Sequence, residues 1–310
     1  MNYICTMSIH QPHDKLFKKT LGLKEVAIPF LKAHLSPEAL QKLDLNSIEL
    51  QKDSFLDSKF NAYYSDIIHK VDGVDGKGYV YFLLEHQSTS DPFIVGKLLC
   101  YIGSIVNSDM ERQLNSDPKR DRSKLKMPII YPFVIYSGKE KYKWPKRLTI
   151  NIEGFNLFDL SNSLIELREY TLEELLKSEK AALAQFILKE SWKKDFCKVL
   201  NDNPQLIELI NCSPYAEEAM LYMIDQDPHK EKVIKQIHNL DPKIKQKVMG
   251  NLMRIEQRGE QRGIKIGEQR GKLEGFREAI MRLLDHGMDK AKAAELLGLT
   301  PKKLKHFLAH

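Results

Sequence analysis

The sequence predicts an α/β protein: a small mixed sheet flanked by helices, followed by an all-helical C-terminal region. Three observations predict it. Helical, strand-like, hairpin, helical and strand-like patterns follow one another up to Tyr136. The run MPIIYPFVIY at 127–136 is apolar almost throughout, as in a strand buried on both faces. Beyond Trp144 strand signals thin out and helical periodicity takes over.

Residues His13 to His34 carry a broad apolar stripe (Leu16, Phe17, Leu21, Leu23, Val26, Phe30, Leu31) after Pro12, which predicts a helix. Ser36-Pro37-Glu38 starts a short helix with a capping serine. Ile48 to Phe55 can form a first strand. Two further strand-like runs, Tyr63–Val71 and Tyr79–Leu84, flank a Gly/Asp-rich connection. Asp75-Gly76 suits a two-residue hairpin turn, where both central residues need positive φ. That turn sets Ile68 opposite Leu83 and Asp66 opposite Glu85, with Gln87 on the same face as Glu85. A turn at Asp72-Gly73 would serve too and would separate the carboxylates. Opposed carboxylates repel unless something lies between them. They read either as a divalent-cation site or as a solvated surface pair.

After a polar break at 86–92, Phe93 to Met110 reads as a strongly apolar helix. Glu111 to Lys126 reads as an exposed basic loop whose Lys119, Arg120, Arg122 and Lys124 are candidate DNA contacts. Past a boundary near Gly154, helices are expected at Leu172–Leu176, Lys180–Trp192, Pro204–Ile210 and Tyr215–Ile224. The predicted organisation is 1–154 as the α/β domain and 155–242 as a helical region. Residues 243–275 form a glycine-spaced helix or linker, and 276–310 a helix-turn-helix-like hairpin.

The chain has 310 residues, 42% hydrophobic and 29% charged, an ordinary globular composition. Cys5, Cys100, Cys197 and Cys212 are scattered, with neither zinc nor disulfide spacing, so reduced thiols and a cytoplasmic location are expected. No apolar run is long enough to cross a membrane, and the N-terminus lacks a signal-peptide pattern. From Lys243 to His310 there are sixteen Lys/Arg against eight Asp/Glu, a balance of +8. Of the net +6, the rest of the chain therefore carries −2. A basic tail on a nearly neutral body suits a polyanionic partner, nucleic acid first, or serves as a solubilising extension.

Within the tail, EQRG EQRG IKIG EQRG KLEG places Gly259, Gly263, Gly267, Gly271 and Gly275 four residues apart. On a helix they form a row that drifts by about 40° per step. They cost roughly 1 kcal/mol each against alanine. The segment thus packs against a partner, preferably its own copy in a homo-oligomer, or folds on binding, or stays disordered. The end of the chain, AKAAELLGLTPKKLKHFL, has helix-turn-helix rhythm, with Lys302, Lys303 and Lys305 on its second helix. It reads as a DNA reader or as an oligomerisation element.

Several residues together carry a likeness to a known family. They are His13-Asp14-Lys15-Leu16-Phe17-Lys18, Tyr64-Ser65-Asp66, the strand into Glu85-His86-Gln87-Ser88, and Ile135-Tyr136-Ser137-Gly138 before Trp144, with the glycine-spaced tail. On these the chain resembles the Rpn family of recombination-promoting nucleases, transposase-like proteins of the PD-(D/E)XK nuclease superfamily. The resemblance implies a restriction-endonuclease-like core and a DNA endonuclease in which Asp66 and Glu85 bind Mg²⁺ or Mn²⁺ and activate water. Gln87 stands where the superfamily usually has Lys, and can orient water only by hydrogen bonds. Asp14 is the candidate extra acid of the first helix, or a residue favoured there by the helix dipole. Lys18, one turn on, can supply the missing positive charge. The rival readings are a catalytically degenerate DNA-binding or assembly protein and a regulator acting through its tail. His69 and His86 fall on the opposite sheet face by alternation. The companions that a His13-Asp14 phosphohydrolase site would need are not laid out. Ser137-Gly138 has no nucleophile-elbow context.

Overall fold

The computed structural model describes residues 12–51, 67–74, 78–117, 119, 121, 123, 125–144, 147–149, 156–159 and 164–300. Two helices open it, α1 (Pro12–Leu21) and α2 (Lys24–His34), where the sequence suggests one. The break lies at Gly22, where a Cβ would stand 2.5 Å from the Lys18 carbonyl oxygen. The Gly22 amide donates to that same carbonyl at 3.1 Å, so the chain turns at a place only glycine fits. In α3 (Pro37–Leu40) the expected Ser36 cap accepts from the Ala39 amide at 3.3 Å.

Strands β1 (Leu43–Leu50), β2 (Ile67–Gly73), β3 (Tyr79–Gln87), β4 (Ile129–Tyr136) and β7 (Leu164–Glu166) form one sheet in the order β1-β2-β3-β4-β7. A short hairpin of β5 (Arg147–Thr149) and β6 (Asn156–Asp159) lies outside it. β1 begins five residues before the predicted start, because Leu43 and Leu45 already alternate inward with Asp44 and Asn46 outward. β1–β2 and β2–β3 are antiparallel, whereas β3–β4 and β4–β7 are parallel. The β2–β3 register is the expected one, with Ile68 opposite Leu83 and Ile67 opposite Leu84. β4 lies between two strands and its last five residues are buried, as its unbroken apolar run requires.

Alternation along β3 divides the core. Tyr81 and Leu83, with Val134 and Tyr136 of β4, pack under α4 (Ile94–Ser116), meeting Ile94, Leu98, Tyr101 and Ile105. Phe82 packs on the opposite face with Phe133, whose ring meets Phe30 of α2 edge-on at 5.8 Å. α4 runs six residues past its predicted end, because its polar residues are tied down rather than solvated. Asp109 is fully buried and accepts from the Tyr79 and Tyr81 hydroxyls at 2.7 and 2.8 Å. It also pairs with Arg112, and Gln113 holds the backbone of Lys126 at both its amide and its carbonyl.

The helices α5 (Leu172–Leu176), α6 (Ala182–Glu190), α7 (Phe196–Asp202), α8 (Gln205–Cys212), α9 (Ala216–Gln226) and α10 (Lys230–Gln236) follow; α5, α6, α8 and α9 lie close to the predicted positions, while α7 and α10 had no separate prediction within the helical region. α5 starts with a capping box between Thr171 and Glu174. α6 is apolar on nearly every side and buried accordingly. α1 contacts β3 on one side and α6 and α9 on the other, so it is shared by sheet and helices. The compact unit containing the sheet accordingly runs to Val248, and a second unit begins at Met249.

The long helix α11 (Pro242–Asp285) spans that point and includes the whole glycine repeat. A Cβ added at Gly263, Gly267, Gly271 or Gly275 would meet nothing within 4 Å. The repeat also stacks like charges four residues apart, Glu256 with Glu260 and Arg258 with Arg262, which weakens an isolated helix. In the second unit Gly287 and Gly298, both with positive φ, end α11 and α12 (Lys290–Leu296). Ile280 and Ala294 join the two helices with Leu284, Leu297 and Leu299 around them. The predicted recognition helix, with Lys302, Lys303 and Lys305, lies outside the described residues. None of the described helices is long and apolar enough to cross a membrane.

Candidate functional site

The site is built at the C-terminal end of β3, where β3 and β4 run side by side with Glu85 opposite Val134 and Gln87 opposite Tyr136. Crevices beyond the carboxyl ends of parallel strands are the usual place for ligands in α/β sheets. Glu85 faces α4, in step with Tyr81 and Leu83, and is only 1% exposed. Gln87, two residues on and on the same face, donates from Nε2 to Glu85 Oε1 at 3.0 Å. The ammonium of Lys97, in the first turn of α4, forms an ion pair with that same oxygen. A buried carboxylate needs such compensation, since an uncompensated one costs several kcal/mol, of order 3–5 when its partner is removed.

Lys97 is the residue beside Glu85 that the sequence alone did not single out. The signal was present: it sits on the buried stripe of α4, three residues after Ile94 and four before Tyr101, where a lysine has no place for packing.

The opposite face of β3 carries a second polar group. His86 is buried, with Nδ1 3.2 Å from Asp14 Oδ1 and Nε2 2.9 Å from Ser137 Oγ. Asp14 is held below the usual carboxylate range, chiefly by the hydrogen bond from His86, with the charges of His86, His13 and Lys18 adding to it. His13 is pushed down by burial and by the neighbouring His86, and its ring shares a hydrogen bond with the Tyr222 hydroxyl of α9. His69 is buried on this face too, 2.8 Å from the Leu21 carbonyl, and burial lowers its pKa. Both histidines are therefore packed as alternation predicts.

The structure thus brings together Glu85 and Gln87, while Asp14 lies on α1 against His86, with Lys18 of the same helix close enough for its charge to act on Asp14. Asp66, Arg120, Arg122 and Lys124 lie outside the described residues. Lys119 is placed at the other end of β3, lining a cleft of about 1200 Å³ with Tyr79, Lys42 and Lys126. Eight residues of strand separate Tyr79 from Gln87, roughly 27 Å. Three aspartates, Asp72, Asp117 and Asp121, balance the three lysines among the described lining residues, so that cleft is not basic.

This sheet and its helices fall inside residues 11–218, which match the family described as "Putative transposase, YhgA-like". The chain belongs to that family. Curated relatives of the YhgA-like family extend the likeness to nearly the whole length. The "Inactive recombination-promoting nuclease-like protein RpnE" of Escherichia coli K12 is 26% identical over 90% of this chain and 91% of its own. The "Recombination-promoting nuclease RpnC" of the same strain is 26% identical over 93% and 94%. The "Recombination-promoting nuclease RpnD" of Escherichia coli O157:H7 is 28% identical over 64% of this chain and 74% of its own. No solved structure matches.

Proposed function

We propose that this YhgA-like protein is a nuclease, and specifically a metal-dependent DNA endonuclease of the PD-(D/E)XK type. The observation that carries the reading is the buried Glu85 carboxylate at the end of β3, with Gln87 bonded to it on the same face. The family relatives named recombination-promoting nucleases support the general activity and link it to recombination.

Glu85 and Asp66 are the proposed ligands of Mg²⁺ or Mn²⁺. Among the described residues no group of three His, Cys, Asp or Glu is placed to hold a metal ion. One carboxylate from β3 and one from Asp66 nevertheless suit Mg²⁺, which takes one or two carboxylates and fills its shell with water and phosphate. The cation, when bound, lowers the pKa of water and neutralises charge on the scissile phosphate. The chain's part is to hold and orient. Glu85 is fixed by Gln87 and Lys97, and Gln87 offers its amide to the attacking water. Water oxygen bonds to phosphorus and gives up a proton to solvent, one P–O ester bond breaks, and the leaving oxygen takes up a proton from solvent. DNA is the proposed partner, with the basic tail as its contact. The tail is also the proposed surface for a second copy.

The test is relaxation of supercoiled plasmid by the purified protein with Mg²⁺, with EDTA, and for Asp66→Ala and Glu85→Ala. Cleavage by wild type alone, abolished by EDTA, is the expected result. Equal cleavage by wild type and Glu85→Ala refutes the site. A second reading, a nuclease fold kept only for DNA binding or assembly, is favoured by Gln87 in the lysine position and by RpnE, whose name calls it inactive. It predicts a gel shift without cleavage in any metal.

A further inference from the structure

We infer that Lys97, delivered from α4, is the catalytic cation of this site. It supplies the positive charge that neutral Gln87 cannot, an inference that rests on the nuclease reading. Three observations separate this role from that of a mere counter-ion to Glu85.

The first is direction. The Glu85 side chain is 2% exposed and that of Lys97 is 25% exposed, so the ammonium reaches from the solvent side towards a buried carboxylate. Of the two partners the lysine is the more open to solvent, and solvent is the side from which a phosphate arrives. The second is convergence. Lys97 Nζ and Gln87 Nε2 meet the same oxygen, Glu85 Oε1, so the charge and the amide stand side by side. In this arrangement Lys97 on a helix and Gln87 on a strand together present a charge and an amide where a single strand lysine would present both in one group. The third is cost. Lys97 lies in the first turn of α4, its amide bonded to Phe93 at 2.9 Å, where the helix dipole disfavours a cation. It also interrupts an apolar stripe. Packing alone would be served better by an aliphatic residue paired with a neutral one at 85, because buried ion pairs are seldom worth their desolvation. Its Nζ lies 5.7 Å from the Tyr101 ring centroid, which steadies the stem.

The role of Lys97 is electrostatic. Its work is to neutralise the negative charge that grows on the phosphate oxygens as the P–O bond breaks, the kind of fixed electrostatic aid worth about 10²–10³-fold in rate.

The experiment compares full-length wild type, Lys97→Met, Lys97→Arg, Gln87→Lys and the double variant Lys97→Met/Gln87→Lys. It measures the plasmid nicking rate with Mg²⁺, Mn²⁺ affinity by calorimetry, and the melting temperature of metal-free protein. Lys97→Met should nick about 10²-fold more slowly or worse. It should bind Mn²⁺ as well as wild type or better, since a competing cation has gone. Lys97→Arg should keep part of the rate, and the double variant should regain it by restoring a charge on β3. Wild-type nicking by Lys97→Met overturns the inference and leaves Lys97 a counter-ion. If Lys97→Met melts early, the folded Lys97→Arg and double variants decide: an inactive, folded double variant overturns the inference. Absence of nicking by wild type overturns the nuclease reading and this inference together, whereas the other failures strike Lys97 alone.

Discussion

Replacing His34 by glutamine should remove much of the protein's sensitivity to acid. His34 ends α2, with its ring 4.7 Å from that of Phe30 and 5.9 Å from that of Tyr170, and its Nε2 3.0 Å from Gln185 Nε2. Gln185 can donate to that nitrogen only while the imidazole is neutral. Burial lowers the pKa from 6.5 to about 4. In the unfolded chain His34 takes up a proton near its ordinary pKa, and in the folded chain it does not. Stability is thus highest above the unfolded value and falls as pH drops, by about 1.4 kcal/mol per unit, until the folded pKa is reached. Between the unfolded pKa and about pH 4.5 the loss from this one residue is about 2–3 kcal/mol, or about 5–10 °C in Tm for a unit of this size. His13 and His69, also lowered by burial, act in the same direction, so the quantity to measure is the difference between wild type and His34→Gln. Glutamine keeps an oxygen to accept from Gln185. Thermal melts at about pH 7 and about pH 4.5 should show wild type losing several degrees more than the variant. Equal losses would refute the idea that His34 is held neutral by its surroundings.

Three further outcomes follow from the geometry. A Cβ at Gly138 would overlap the ring and hydroxyl of buried Tyr136, so Gly138→Ala should cost about 1–3 kcal/mol in urea unfolding and leave Mn²⁺ affinity unchanged. Gln87→Lys alone should keep metal-dependent nicking with a lower metal requirement; a folded but inactive variant would make Gln87 a packing residue. Truncation after Val248 removes thirteen Lys/Arg and eight Asp/Glu, a balance of +5. The shortened chain should bind DNA with a flatter salt dependence and scatter light as a smaller particle, and no change in either would leave the tail a solvated extension.

What was legible in the sequence was what local chemistry determines. The hairpin register could be read because a shift of one residue would turn Ile68 and Leu83 to the wrong face. The helical region could be read from caps and apolar spacing, as with Thr171 and Glu174. What failed depended on distant partners. Arg112 and Gln113 look like loop residues until Tyr81 and Lys126 come to meet them from elsewhere in the chain. The meeting of His86 with Asp14 and Ser137 likewise joins three separate segments. Of the candidate site, alternation alone told that Glu85 and Gln87 share a face, whereas the role expected of them came from the family likeness. Lys97 was written in the sequence as a charge on an apolar stripe, but its purpose shows only once α4 is laid over β3.

The shared position of α1 also bears on synthesis. Its inner side can settle on β3 early, but its outer side waits for α9, whose Tyr222 lies 209 residues beyond His13. At ordinary ribosomal speeds of about 5–20 residues per second, roughly 10–40 s separate the emergence of the two. During that interval the nascent protein carries a finished hairpin and a half-covered first helix. Release before α9 would leave the His13 side of α1 without its Tyr222 cover, and such a fragment is a substrate for chaperones and proteases. A match that ends at residue 218 therefore stops inside a helix the folded unit depends on.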